Sequence, residues 1–250
     1  MITIFLPAYN EERDIVSLLL RIREEMEGQH LVPYRVLVVN DGSTDDTLSV
    51  LNDCKESLPL EVLDHGVNKG LGQAMLTGLR RAAELLQEGD ILLTMDADNT
   101  HNPALIGAME RKIAAGADVV IASRYEQGGE EVGLSELRSF LSRGASGLLK
   151  LFFPIHGGKD YTCGYRAYRA RAIQQAFEVY GDRFVEERGF TCMAEILIKL
   201  RALGARVTEV PLILRYDLKT GQSKMKVVRT ILRYFVLITR NLFLPQRKVL

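Results

Sequence analysis

The chain has 250 residues, 47% hydrophobic and 26% charged, with 32 Lys and Arg against 32 Asp and Glu. That composition excludes a disordered chain, the length suits one large domain or two small ones, and zero net charge argues against a general nucleic-acid binder. Three widely spaced cysteines, Cys54, Cys163 and Cys192, form neither a disulfide framework nor a CxxC zinc motif, and the start MITIFLPAYNEER lacks the basic region of a signal peptide; a reducing compartment is expected.

ITIFL (2–6) is a buried-strand run, followed by EERDIVSLLLRIREEME (11–27), whose Ile15, Leu18, Leu19 and Ile22 recur at helical spacing. RVLVVND (35–41) and LEVLDH (60–65) read as strands, with a helix over 44–57 between them. LGQAMLTGLRRAAELLQEG (71–89) is a long helix stopped by Gly89. DILLTMD (90–96) and ADVVIAS (117–123) are strands flanking a helix that begins near Pro103. This alternation predicts an α/β fold, a mostly parallel sheet with helices on both faces. Ligands of such sheets bind beyond the C-terminal strand ends, where PAYNE, NDGSTD, DADNTH and SRY fall.

Beyond residue 126 the pattern is less regular. QGGEEVG (127–133) reads as a flexible loop, 134–154 as an amphipathic helix, and KDYTCGYRAYR (159–169) as a compact tyrosine-rich segment. A helix over 189–204, a strand over 205–214, a polar loop over 219–224 and a final helix over 225–244 complete the chain, with no repeat or interdomain linker.

Asp96 and Asp98 give the sharpest chemical signal. Two carboxylates at i and i+2 beyond an apolar strand can converge on one hard cation, Mg²⁺ or Mn²⁺, that bridges substrate phosphates; the plainer alternative is a solvated pair capping the next helix. Asp41, at the end of a strand, serves either as an acceptor for a base or ribose hydroxyl or as a turn residue of Asp-Gly-Ser. Tyr9 and Glu11 either meet a base or start a helix. NKGLGQAMLTG has neither dinucleotide nor P-loop spacing, so its small residues are expected to permit close backbone approach at a helix start. His101 is expected to shape its loop. Asp160 either borders the site or caps the tyrosine-rich turn, and Glu195, inside an apolar helix, is either paired or lines the site. Tyr161, Tyr165 and Tyr168 are expected in the core.

In combination, PAYNE, DGSTD, NKGLGQA and DAD resemble the A-type glycosyltransferases of family 2. SRY, Arg138, Ser142, DYTCGYRAY, GFTCMAEI, EVPL and GQSK extend the likeness to the polyprenyl-phosphate sugar transferases, the dolichyl-phosphate mannosyltransferase group, over about 225 residues. The resemblance implies a GT-A type, Rossmann-like sheet over residues 1–218, with 219–250 a basic loop and amphipathic helix in the same globule. It implies that Pro7, Tyr9, Glu11 and Asp41 line the nucleotide pocket and that Asp96 and Asp98 hold Mg²⁺ or Mn²⁺ on the donor diphosphate. Arg124, Arg138 and Ser142 would meet the acceptor phosphate, and Ser223 and Lys224 would sit in a loop over the donor. Thr100 stands where members often carry a metal-binding Gln, and Leu218 where many carry an Arg; Lys219 or Arg215 would then supply the charge. The implied reaction is inverting transfer from a nucleotide-diphosphate sugar, GDP- or UDP-linked, to a lipid phosphate, with Asp96, Asp98 and Arg124 at its centre. A phosphate acceptor is already largely ionised near neutral pH and needs no strong base.

The neutral total conceals an asymmetry. From Leu218 to Leu250 there are eight basic residues and no acidic one, so the first 217 carry a net charge of −8. Arg229, Arg233 and Arg240 make a membrane span over 225–244 costly. An amphipathic helix in the membrane interface is expected instead, with Val228, Ile231, Leu232, Phe235, Val236 and Ile238 toward lipid or core and LLKLFFP (148–154) as a second interfacial segment. The expected place is cytoplasmic, peripheral on the cytoplasmic membrane face.

Overall fold

The computed structural model describes residues 1–28, 33–134, 136–218 and 227–242. The first half follows the strand–helix alternation: β1 (Ile2–Ala8), α1 (Ile15–Gly28), β2 (Tyr34–Asn40), α2 (Thr47–Cys54), β3 (Leu60–Asp64), α3 (Leu71–Leu85), β4 (Ile91–Thr94), α4 (Ile106–Ala114) and β5 (Val119–Ser123). The second half adds β6 (Glu130–Val132), α5 (Glu136–Phe152), β7 (Arg166–Arg169), α6 (Ala170–Tyr180), α7 (Cys192–Ala202), β8 (Val207–Pro211), β9 (Ile213–Arg215) and α8 (Val227–Leu242).

Seven strands form one sheet in the order β3-β2-β1-β4-β7-β5-β8, and β7 runs antiparallel to its neighbours. The continuous apolar runs of β1, β2, β4 and β5 are what a sheet covered on both faces requires; Ile2, Ile4, Phe5, Leu6, Val38, Leu92 and Ile121 are fully buried. β1 pairs in parallel with β2 on one side and β4 on the other. The strand order reverses there, opening a crevice at the carboxyl ends of β1 and β4. PAYNE and DADNTH follow those two strands.

Four features depart from the sequence reading. QGGEEVG contains β6, which pairs in parallel with β9; Glu131 is turned inward and accepts a 3.1 Å hydrogen bond from Arg124 Nη1. The single strand expected over 205–214 is two, because Leu212 steps the chain from the main sheet to the small one, its N–H donating to the Ser123 carbonyl. The tyrosine-rich segment supplies β7, held by the fully buried Arg166, whose guanidinium donates to the carbonyls of Met193 (2.6 Å) and Tyr161 (2.9 Å). Tyr161, Tyr165 and Tyr168 are core residues, as expected.

The fourth departure is α8. Tyr234, Leu237 and Ile238 pack into the body, and Arg233 and Arg240 turn inward to carboxylates. Among the described side chains, Leu232, Phe235, Val236 and Leu242 are about half exposed on the outward face, with Thr239 beside them. Arg233 and Arg240 are consumed by internal ion pairs, and the side chain of Arg229 lies outside the described residues. Of the expected lipid-facing set, Ile238 belongs to the core, while the side chains of Val228 and Ile231 lie outside the described residues. Among the described residues no helix is long and apolar enough to cross a membrane.

Candidate active site

A cleft of about 880 Å³ opens at the carboxyl ends of β1 and β4, lined by Pro7, Tyr9, Glu11, Asp41, Asp96, Asp98, Arg124 and Ser142 among others. Eight sequence candidates thus share one cavity. Arg138 lies on α5, but its side chain is outside the described residues, as are Ser223 and Lys224 entirely.

The wall formed by PAYNE and NDGSTD is two interlocked loops. Asn10 adopts a left-handed conformation (φ 53°), which asparagine tolerates better than most residues. Its N–H donates to Ser43 Oγ (2.9 Å) and its Oδ1 accepts from the Thr44 N–H (2.8 Å). The Glu11 N–H donates to Thr47 Oγ1 (2.8 Å). PAYNE and NDGSTD therefore move as one unit, which fixes Tyr9 and Glu11 at the cleft.

Asp41 is almost fully buried and organises the third segment. Its Oδ2 accepts from the Gly70 N–H (2.8 Å), and its Oδ1 from the Lys69 N–H (2.9 Å) and lies 2.7 Å from His65 Nδ1. The turn and the binding reading thus meet in one residue: Asp41 lines the cleft while bolting NKGLGQ to β2. The glycines there have the expected purpose, since a Cβ at Gly70 would stand 2.9 Å from the Arg188 carbonyl and one at Gly72 would collide with Glu187.

At the cleft floor, Asp96 is 37% exposed and Asp98 is buried. Thr100 Oγ1 donates 2.7 Å to Asp98 Oδ1, so Thr100 orients the second carboxylate. His101 accepts the Asp96 N–H at Nδ1 (3.2 Å), which in a neutral ring puts the proton on Nε2, 3.9 Å from Asp96 Oδ2. The ring is buried and stacks on Tyr165 at 5.1 Å, so His101 shapes the DADN turn. Opposite, a Cβ on Gly164 would lie 2.9 Å from Asp96 Oδ1. Among the described residues no three His, Cys, Asp or Glu side chains cluster to hold a metal on their own. Two carboxylates on a cleft wall fit a hard cation that takes its remaining ligands from phosphate and water. Gly164→Ala is expected to displace Asp96 and raise the metal concentration for half-maximal activity about tenfold, with little change in melting temperature; unchanged metal dependence would show that Asp96 tolerates the methyl group.

On the wall beyond β5, Arg124 is a closed fork. Its Nε and Nη2 donate to Asp160 Oδ2 and Oδ1 (both 2.7 Å), Nη2 also to Thr162 Oγ1 (2.7 Å), and Nη1 to Glu131. Burial opposes the charge on Asp160, yet Arg124 and backbone N–H groups hold its carboxyl below the usual range. Asp160 caps the tyrosine-rich turn, its Oδ1 accepting from the Thr162 and Cys163 N–H groups (3.2 and 3.1 Å), and reaches the cleft only through Arg124. Tyr125 Oη donates 3.0 Å to Ser142 Oγ, placing that hydroxyl at the cleft edge. Burial pushes the Cys163 thiol up to about 12, which removes it as a nucleophile. Arg215, a candidate for the missing loop charge, pairs with Asp217 at 2.7 Å, and Lys219 lies outside the described residues.

The sequence reading missed a buried charge network behind the cleft. Glu195 Oε2 accepts the N–H groups of Glu186 (2.9 Å) and Glu187 (2.8 Å), and its Oε1 accepts from Lys199 Nζ (2.9 Å) and Arg240 Nη2 (2.6 Å). Glu187 Oε2 accepts from Thr191 Oγ1 (2.7 Å) and Arg233 Nε (3.1 Å). Glu195 is thus paired. The network fixes the loop whose Arg188, Phe190 and Thr191 line the cleft. The one signal in the sequence was a glutamate and a lysine, four apart, inside an apolar helix.

The profile of glycosyl transferase family 2 matches residues 3–177. The chain is 30% identical over 234 residues to dolichol-phosphate mannosyltransferase of Pyrococcus furiosus, covering 93% of this chain and 61% of that protein's length. It is 30% identical over 221 residues to undecaprenyl-phosphate mannosyltransferase of Micrococcus luteus, covering 88% and 85% respectively. Glucosyl-3-phosphoglycerate synthase of Mycobacterium tuberculosis, solved with Mn²⁺, uridine diphosphate and phosphoglyceric acid, superposes with a TM-score of 0.70 at 19% identity over 98% of this chain and 79% of that one. Its likeness shows the fold. The chain belongs to glycosyl transferase family 2 and has the GT-A fold of those enzymes.

Proposed function

We propose that the protein transfers a hexose from a nucleotide-diphosphate sugar to a polyprenyl phosphate at a membrane surface, with inversion at the anomeric carbon. The observation that carries the reading is the single cleft that gathers the nucleotide-side loops, Asp96 and Asp98, and the wall formed by α5 and α8. Relatives named for transfer to dolichol phosphate and undecaprenyl phosphate support the acceptor class.

The donor base and ribose lie against Pro7, Tyr9 and Glu11, with Asp41 keeping the Lys69–Gly70 segment in place. Asp96 and Asp98 would hold Mg²⁺ or Mn²⁺, which would supply neutralising charge to the departing diphosphate. The family resemblance assigns Ser223 and Lys224, which lie outside the described residues, a part in holding the donor. Ser142 and Arg138 meet the acceptor phosphate. Arg124, with its fork occupied by Asp160, contributes positive potential and a fixed wall more than a bidentate grip. A phosphate oxygen attacks the anomeric carbon directly; no protein nucleophile is needed, and Cys163 is protonated. The apolar outer faces of α5 and α8, with Phe140, Leu151, Leu232 and Phe235 exposed, suit contact with a bilayer on its cytoplasmic side.

Incubation with labelled UDP- or GDP-hexoses, Mn²⁺ and polyprenyl phosphate is expected to yield butanol-extractable label and free nucleoside diphosphate. Absence of turnover across such donors, with folded protein, would overturn the reading. Water-soluble glycosylated product from a phosphorylated metabolite would favour the alternative suggested by the neighbour solved with phosphoglyceric acid.

A further inference from the structure

A second hollow, of about 470 Å³, lies along α5; Arg143, Ser146, Gly147 and Lys150 of that helix line it, facing Tyr125, Glu126 and Lys159, and Arg124 separates it from the main cleft, which it also lines. The spacing 143, 146, 147, 150 puts all four on one flank of the helix. Arg143 is 67% exposed, its nearest carboxylate oxygen is Glu131 Oε2 at 4.0 Å, and its guanidinium lies 5.9 Å from the Tyr125 ring centroid. Lys150 has no ion-pair partner among the described residues. Lys159 pairs with Glu126 at 2.7 Å. The hollow therefore carries excess positive charge.

Ser146 supplies the second observation. It is 3% exposed, and its Oγ has no hydrogen-bond partner among the described residues. A buried hydroxyl is ordinarily satisfied, and this one borders the hollow. Gly147 keeps the space open, since a Cβ there would meet nothing within 4 Å.

We infer that this hollow binds the phosphate of an anionic membrane phospholipid, distinct from the acceptor phosphate in the main cleft. The inference rests on the membrane-surface reading above. Phe140 and Leu151, 73% and 76% exposed on the adjoining strip of α5, indicate a lipid source for the phosphate. They would sit at the acyl boundary while Arg143 and Lys150 stay at headgroup level. A soluble phosphate would gain nothing from that apolar ridge.

The test is flotation of the full chain with phosphatidylcholine vesicles, with and without phosphatidylglycerol. Wild type is expected to bind the phosphatidylglycerol vesicles more tightly. Arg143→Gln and Lys150→Gln are each expected to weaken that binding about fivefold, and together about thirtyfold, from about 1 kcal/mol per basic residue near an anionic surface. Both variants are expected to keep wild-type transfer to a short, water-soluble polyprenyl phosphate, which reports an intact fold. Equal binding of wild type to both vesicles would overturn the headgroup site and leave the membrane reading standing. Failure to bind either vesicle would overturn both. Saturable binding of inorganic phosphate in solution, lost in Arg143→Gln, would also overturn it by naming a soluble ligand.

Discussion

Asp96→Asn is expected to lower kcat/KM for sugar transfer by roughly 10²–10⁴-fold while leaving the melting temperature within about 2 °C of wild type. The carboxylate is 37% exposed to the cleft, so its charge serves the fold little. The turn that presents it is held by the backbone N–H to His101 and by the His101–Tyr165 stack, both of which survive the substitution. On the proposed function the change removes a negative ligand for the cation on the donor diphosphate, worth several kcal/mol of transition-state stabilisation. Thermal stabilisation by a nucleoside diphosphate is expected to need Mn²⁺ in wild type and to lose that dependence in the variant. Full activity in Asp96→Asn would remove the metal assignment. Thr100→Ala is expected to be milder, about 10–100-fold, because it frees Asp98 to rotate without removing a charge.

The largest stability effect is expected at Glu195. Glu195→Ala leaves the buried Lys199 ammonium and the half-buried Arg240 guanidinium without their shared carboxylate, and two backbone N–H groups without an acceptor. Breaking a buried ion pair from one side typically costs about 3–5 kcal/mol, and urea titration should show a loss of that size with unchanged m. Arg240→Ala is expected to cost less, because its side chain is 34% exposed and Lys199 still serves Glu195. It has a second expected effect. The loop at 186–191 holds its place through Glu187 and Glu195 and lines the cleft proposed to take the donor, so the donor KM should rise in Arg240→Ala even where the protein is fully folded. A lowered stability with an unaltered donor KM would show that α8 braces the fold without reaching the site.

The reading order of the chain explains what was legible. Strands β1, β2, β4 and β5 announce themselves because a parallel sheet covered on both faces needs uninterrupted apolar runs. The polar motifs after them could only project from the strand ends, so the cleft wall formed by Pro7, Tyr9, Glu11, Asp41, Asp96 and Asp98 followed from topology. The antiparallel β7 was hidden because its partners are distant in sequence and its strand carries a buried arginine, Arg166, which local patterning assigns to the surface. Likewise Arg124 read as a phosphate fork because Asp160, 36 residues away, cannot be seen from it. The tail shows the same limit. An acid-free run of 33 residues suggested a basic membrane face, yet the acids that neutralise Arg233 and Arg240 reside on the 187–195 segment. The described outward side chains of α8 are mostly apolar, and the proposed membrane contact rests on them.

The central claim is that the acceptor is a lipid phosphate. A competition assay tests it most directly: one labelled nucleotide sugar, Mn²⁺, and equal concentrations of polyprenyl phosphate and phosphoglyceric acid, with the product partitioned between butanol and water. Label in butanol, abolished by Asp96→Asn, is the predicted result; label that remains in water on phosphoglyceric acid would contradict it.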